Sequence, residues 1–175
     1  MVGGWSAQNR VDQIWEDINA DGALELVTAV NGTWNRVTTY TRDGQPLHNA
    51  PFGPGPGNTF RAYLRDLKTA PWGEGGRRVI LTATHERLLV ALDHECRTLW
   101  SRALPVAARR LLVAGPSGQR VLAGGDDGSL LLLDARGDFR AAGKVAGRVD
   151  HLLDLADGRV IVVDANGGLS VVGLP

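Results

Sequence analysis

The chain has 175 residues, enough for one well-packed domain, and no break in composition divides it. Lysine plus arginine and aspartate plus glutamate each total 19, so no net charge draws the protein to nucleic acid or an anionic membrane surface. The single cysteine, Cys96, cannot form a disulfide within the chain. The longest apolar runs are far shorter than the roughly 20 residues that cross a bilayer. Met1 is not followed by the basic start and apolar core of a signal peptide.

The first predicted strand, VDQIWEDI (11–18), runs into a loop of regularly spaced oxygen-bearing side chains, DINADGALE (17–25). Its oxygens come from Asp17, Asn19, Asp21, the carbonyl of Ala23, and Glu25, at relative positions 1, 3, 5, 7 and 9. Calcium takes six to eight oxygen ligands, so this spacing predicts one structural calcium ion. The alternative is a hairpin loop whose Asx side chains accept bonds from nearby backbone amides without a metal. The sequence leaves both open.

The rest of the chain repeats one strand pattern. Four β-rich runs, each ending in a two-residue turn, are LELVTAVNG (24–32), RVILTATHE (78–86), RVLAGGDDG (120–128) and RVIVVDANG (159–167). Each is followed by another strand and preceded by a further candidate, VDQIWEDI (11–18), FRAYLRDL (60–67), RRLLVAG (109–115) or VDHLLDL (149–155). About four strands recur every 40 to 50 residues, which is the size of one β-propeller blade. The sequence therefore predicts an all-β propeller with about four four-stranded blades.

Particular motifs resemble known propeller families. The segment RVLAGGDDGSLLLLDARGDF (120–139) resembles the blade core of quinoprotein-type (PQQ-like) and WD-repeat-like propellers, and RTLWSRALP (97–105) resembles the outer tryptophan segment of the quinoprotein repeat. The loop DINADGALE (17–25) is similar to the calcium loop of FG-GAP/VCBS-like blades. The resemblance implies a fold more than a function. Because propellers of these kinds usually work outside the cytoplasm, it also favours an extracellular or periplasmic location.

The blades are predicted at roughly 10–53, 60–104, 108–147, and 148–175 together with 2–8. The last unit lacks an outer strand, and VGGWSAQ (2–8) would complete it, since open sheet edges promote aggregation. If that strand stays in its own chain, the ring has four blades. If two chains exchange it, a homodimer has eight blades and two-fold symmetry, and this is the arrangement that we expect. A piece of a larger propeller is the third alternative.

No catalytic residue is predicted. The four histidines have no zinc spacing, and Cys96 has no histidine partner in sequence. Trp34 and Trp72 lie in loop-like surroundings and are predicted on a ligand-binding face, whereas Trp15 and Trp100 are predicted between blades. We therefore expect a non-catalytic binding or scaffold propeller that recognises a protein or a glycan. The alternatives are a carbohydrate-binding lectin and a quinoprotein-like or polysaccharide-cleaving enzyme domain.

Overall fold

The computed structural model describes residues 9–32, 35–53 and 62–175. Within these residues the strands form four antiparallel sheets. The first sheet contains β1 (Asn9–Glu16), β2 (Glu25–Asn31), β3 (Arg36–Tyr40) and β4 (Pro46–Pro51). The second contains β5 (Leu64–Ala70), β6 (Val79–Thr84), β7 (Leu88–Leu92) and β8 (Thr98–Ala103). The third contains β9 (Ala108–Ala114), β10 (Arg120–Gly125), β11 (Ser129–Asp134) and β12 (Phe139–Lys144), and the fourth β13 (Val149–Asp154), β14 (Arg159–Asp164) and β15 (Leu169–Gly173).

Each sheet is one blade, numbered 1 to 4 in chain order. Its strands neighbour one another in the order of the sequence, and the innermost strands β1, β5, β9 and β13 contact one another from blade to blade. This arrangement confirms the predicted β-propeller. Tight turns between the strands need positive φ, which Gly44, Gly128 and Gly167 supply at three of them.

The hydrophobic core lies between blades, because each sheet is apolar on both faces. We call the face toward the next blade in the chain the forward face, and the opposite face the backward face. Between blades 1 and 2 the core includes Val27, Val37, Leu67 and Ile80, all fully buried. Similar clusters join blade 2 to blade 3, and blade 3 to blade 4. Sheet-on-sheet packing therefore holds the blades together.

The innermost strand of every blade contains a β-bulge at the same place. The pairing register shifts across Val11 in β1, Arg65 in β5, Arg109 in β9 and Asp150 in β13. A bulge leaves a residue out of the ladder and redirects its side chain. Three of the four bulged residues are charged, so the bulges place charge near the centre of the propeller.

Two further features bear on the sequence predictions. Segment 2–8, predicted to complete blade 4, lies outside the described residues, and so does Trp34. Blade 4 has three strands among the residues that are described. In that part of the chain no helix is long and apolar enough to cross a membrane.

Candidate binding face

Charged side chains on the bulged strands form hydrogen bonds with the next blade. The Arg65 guanidinium donates two hydrogen bonds to Asp126, at 2.5 and 2.9 Å, which joins blade 2 to blade 3. Arg109 donates to the Asp150 carboxylate at 2.9 Å, which joins blade 3 to blade 4. Bidentate pairing of arginine with a carboxylate fixes direction as well as distance. The bulges thus set the relative position of neighbouring blades near the central axis.

Asp66 is the most buried part of this network, with 5% of its surface exposed. One oxygen accepts from the Leu111 amide of blade 3 at 2.6 Å, and the other from the Leu67 amide at 3.0 Å and Lys68 Nζ at 3.2 Å. Lys68 also reaches Asp12 of blade 1 at 3.3 Å. Burial raises the pKa of Asp66, although the nearby Lys68 charge acts in the opposite direction. This network joins three blades.

Tyr63 lies at the rim of the network and is 57% exposed. Its amide donates to a Glu86 carboxylate oxygen at 2.9 Å, and its carbonyl accepts from the His85 amide at 2.8 Å. The next residue, Leu64, exchanges two hydrogen bonds with the Asn31 side chain, at 2.8 and 2.9 Å. A large aromatic ring is therefore presented to solvent from a backbone that is held on both sides.

We name this surface the Tyr63 face and define it by Tyr63, Arg65, His85, Glu86 and Asp126. Its charges interact: the hydrogen bond from Arg65 lowers the pKa of Asp126, and the charges of Arg65, Arg109 and His85 add to the effect. The sequence prediction placed Tyr63 within a strand and missed this surface. The signal that could have found it is a polar or charged pair in three of the four inner strands, seen in RD (65–66), RR (109–110) and DH (150–151).

The predicted calcium loop has the hydrogen bonds of an Asx loop. Asp17 accepts from the Asp21 amide at 3.2 Å and from the Gly22 amide at 2.9 Å. Asn19 accepts from the same Asp21 amide at 2.9 Å, and Asp21 accepts from the Ala23 amide at 2.8 Å. In the described part of the chain, no group of three or more His, Cys, Asp or Glu side chains is arranged to hold a metal ion.

Glu25 is the last residue of this loop and is 4% exposed. Its carboxylate accepts from the Ile18 amide at 3.0 Å. Burial raises the pKa of Glu25, the bond from Ile18 opposes the rise, and the negative charges of Asp21 and Asp17 add to it. The charges of Asp17 and Asp21 therefore disfavour the ionised form of Glu25.

The tryptophans differ in their surroundings. Trp72 is half-buried against the core between blades 2 and 3, and its indole N–H donates to the Gly118 carbonyl at 2.5 Å. Trp100 packs on the same core and donates to the Ala135 carbonyl at 3.0 Å, as expected for a residue between blades. Trp15, also predicted between blades, is 49% exposed within the chain. A ligand-facing role for Trp72 stays a prediction, and its indole N–H already donates to Gly118.

Cys96 has no chemical role that its surroundings support. It is 6% exposed, and burial raises the pKa of its thiol to about 12. Because the thiolate is the nucleophile, a thiol with this pKa is inert near neutral pH.

No protein-family model matches the chain, and no curated protein matches it significantly. Solved β-propellers do share its fold. Sqt1 of Saccharomyces cerevisiae superposes with a TM-score of 0.77 and 17% identity, over 94% of this chain and 46% of that one. BBS1N, solved in complex with ARL6DN, superposes with a TM-score of 0.68 and 16% identity, over 95% of this chain and 55% of that one. BamB of Moraxella catarrhalis superposes with a TM-score of 0.63 and 15% identity, over 93% of this chain and 43% of that one. The chain thus has the β-propeller fold and spans about half the length of these three structures.

Proposed function

We propose that the chain is a non-catalytic protein-binding module that recognises its partner through the Tyr63 face. The exposed ring of Tyr63, two residues before the Arg65 that pairs with Asp126, is the observation that carries this proposal. Tyrosine and arginine are enriched among residues that dominate binding energy, because each offers a large contact area together with polar groups. A held backbone reduces the entropy lost when a partner binds.

Two of the similar structures support a protein partner. BBS1N was solved in complex with ARL6DN. The chain also superposes on 39% of the length of a chain in a structure of polycomb repressive complex 2. Each is less than 25% identical to this chain, so the support concerns what a propeller of this shape can do. A glycan stacked on Trp34 or Trp72 is the other hypothesis from the sequence. Glycan-array binding that disappears in Trp72→Ala would favour it.

The test begins with affinity capture on the whole chain and continues with a binding titration of the captured protein. Tyr63→Ala should raise the Kd about tenfold or more, which is the effect of losing a binding hot spot. Leu99→Ala is the matched control, because Leu99 is 53% exposed on the outer strand of blade 2 and lies outside the Tyr63 face. Equal Kd values for wild type and Tyr63→Ala would contradict the proposal, and so would a loss of binding in Leu99→Ala.

A structural calcium ion in the loop at residues 17–25 is a second proposal. Its support is the buried Glu25 carboxyl facing Asp17 and Asp21, whose charges raise its pKa. Asp17, Asn19, Asp21, the Ala23 carbonyl and Glu25 would supply the ligands, and the ion would join the start of β2 to the end of β1. To do so, the Asp17 and Asp21 oxygens must share or give up their backbone N–H partners.

Thermal unfolding with calcium and with chelator tests this ion. Calcium at about 100 times its Kd should stabilise the wild type by about 2.7 kcal/mol and leave Asp21→Ala unchanged. Asp43→Ala, which alters an exposed turn of the same blade, should keep the full response. If Asp21→Ala loses the same stability in calcium and in chelator, the loop is an Asx loop without metal.

A further inference from the structure

The forward face of blade 4 is apolar and open. Its two cross-strand rows are His151, Val163 and Leu169, and Leu153, Ile161 and Val171. Leu169 is 75% exposed, Val171 61% and Leu153 53%. Five aliphatic side chains thus stand together on one side of a three-stranded sheet. Soluble proteins rarely leave such a patch uncovered, so it marks a site where something packs.

The same positions are covered in the other blades. Aligned by the bulge and the strand register, Leu153, Ile161 and Val171 of blade 4 correspond to Leu112, Leu122 and Leu132 of blade 3. Leu122 and Leu132 are 2% and 3% exposed, because the backward face of blade 4 covers them. Leu81 and Ala91 of blade 2 occupy the same positions and are buried against blade 3. The open face therefore continues an interface that occurs three times within the chain.

A row of the complementary kind is partly open at blade 1. On the backward face, Trp15 is 49% exposed and pairs with the half-buried Leu26 and Tyr40. The next row of that face contains Thr28 and Thr38, which are 6% and 4% exposed. The three residues of the Trp15 row correspond to Val113, Val121 and Leu133, with which blade 3 packs against blade 2. Blade 4 therefore has an open forward face, and blade 1 has a backward face that is open along the row of Trp15, Leu26 and Tyr40.

We propose that the forward face of blade 4 packs on the backward face of blade 1 of a second copy, and that two copies close an eight-bladed ring. A surface that joins head to tail either closes into a ring or grows into a filament. The chain superposes on about half the length of two longer β-propeller chains, 46% of one and 55% of another, so two copies supply about the length of one such chain. This proposal requires face packing alone and no exchange of residues 2–8.

The solution mass of the whole chain tests the ring, measured by light scattering across a range of concentrations. The wild type should have about twice the 18.7 kDa mass of one chain. Leu169→Glu combined with Val171→Lys should give the mass of a monomer with an unchanged far-UV spectrum, because both side chains are exposed within one chain. Leu99→Glu, at a leucine of blade 2 that is 53% exposed, should remain dimeric.

Trp15→Glu distinguishes the head-to-tail ring from a symmetric contact between two blade 4 faces. It should also give a monomer, because it alters the opposite end of the same interface. A dimer that persists in Trp15→Glu or in the blade 4 double variant would overturn the proposal. A monomeric wild type, or an assembly of more than two copies, would overturn it as well.

Discussion

Blades 3 and 4 have the same forward-face pattern in opposite environments. Leu132 in blade 3 is 3% exposed, and its counterpart Val171 in blade 4 is 61% exposed. The strand register and the apolar character are the same, so local sequence does not decide which of the two is core. The presence of a neighbouring blade decides it. In a repeat fold each repeat contacts its neighbours, so the same apolar position is buried where a described blade packs on it and exposed where none does.

Exchanging each residue for a charge gives the largest expected difference between the two faces. Leu132→Glu should cost about 4 kcal/mol or more, because it places an unpaired carboxylate between blades 3 and 4. Val171→Glu should change the stability of the monomer by less than about 0.5 kcal/mol. Urea unfolding at high dilution measures both. Similar losses in the two variants would mean that the two faces are equally buried.

The close contact between blades 3 and 4 offers a smaller difference. A Cβ at Gly124 would lie 2.5 Å from Val149 Cγ1, so Gly124→Ala should cost about 1–3 kcal/mol by overpacking. Val149→Ala should recover part of that loss in the double variant, since the two residues are in contact. At the corresponding position of blade 4, Val163→Ala should have a smaller effect, because no blade of the same chain packs on it. Additive losses at Gly124 and Val149 would contradict this reading of the contact.

The repeated strands could be predicted from the sequence. The strand pairing at the bulges, and which side chains another blade covers, could not. Runs such as RVIVVDANG (159–167) signal a strand and a turn locally, and four similar runs at blade spacing indicate a propeller. The bulges at Arg65 and Asp150 depend on pairing between strands, which a single run does not encode. The surroundings of the tryptophans were likewise not encoded in single runs of sequence. Trp15 and Trp100 both lie in predicted strands, yet Trp100 meets the next blade and Trp15 meets solvent.

The same limit applies to the loop at residues 17–25. Its oxygen spacing could be read from the sequence, and the structure adds a turn at Gly22, where φ is 89°. The direction of the Asp17 and Asp21 oxygens was not predictable, because backbone amides and a cation compete for the same lone pairs. The Tyr63 face was missed for a related reason. The backbone of Tyr63 is held by hydrogen bonds with Glu86 and His85, which follow it by more than twenty residues.

The smallest predicted effect concerns the turns that join the second and third strands of blades 3 and 4. In blade 3, Asp127 accepts from the Ser129 amide at 2.9 Å and from Lys144 at 3.3 Å, whereas blade 4 has Asn166 in the corresponding turn. Hydrogen bonding to Ser129, aided by Lys144, lowers the pKa of Asp127 to about 2. A carboxyl with a lowered pKa stabilises the fold above its unfolded pKa of 3.8, and this contribution is lost as the pH falls toward 2.

Asp127→Asn gives blade 3 the uncharged turn residue of blade 4 and should remove this pH dependence. The Tm of the variant should lie about 1 °C below that of the wild type at pH 5, because the group is exposed, and the two values should converge near pH 2. Thermal unfolding followed by circular dichroism between pH 5 and pH 2 measures the difference. Parallel pH profiles would show that the Asp127 charge does not stabilise this turn, and that the two blades differ only in what covers them.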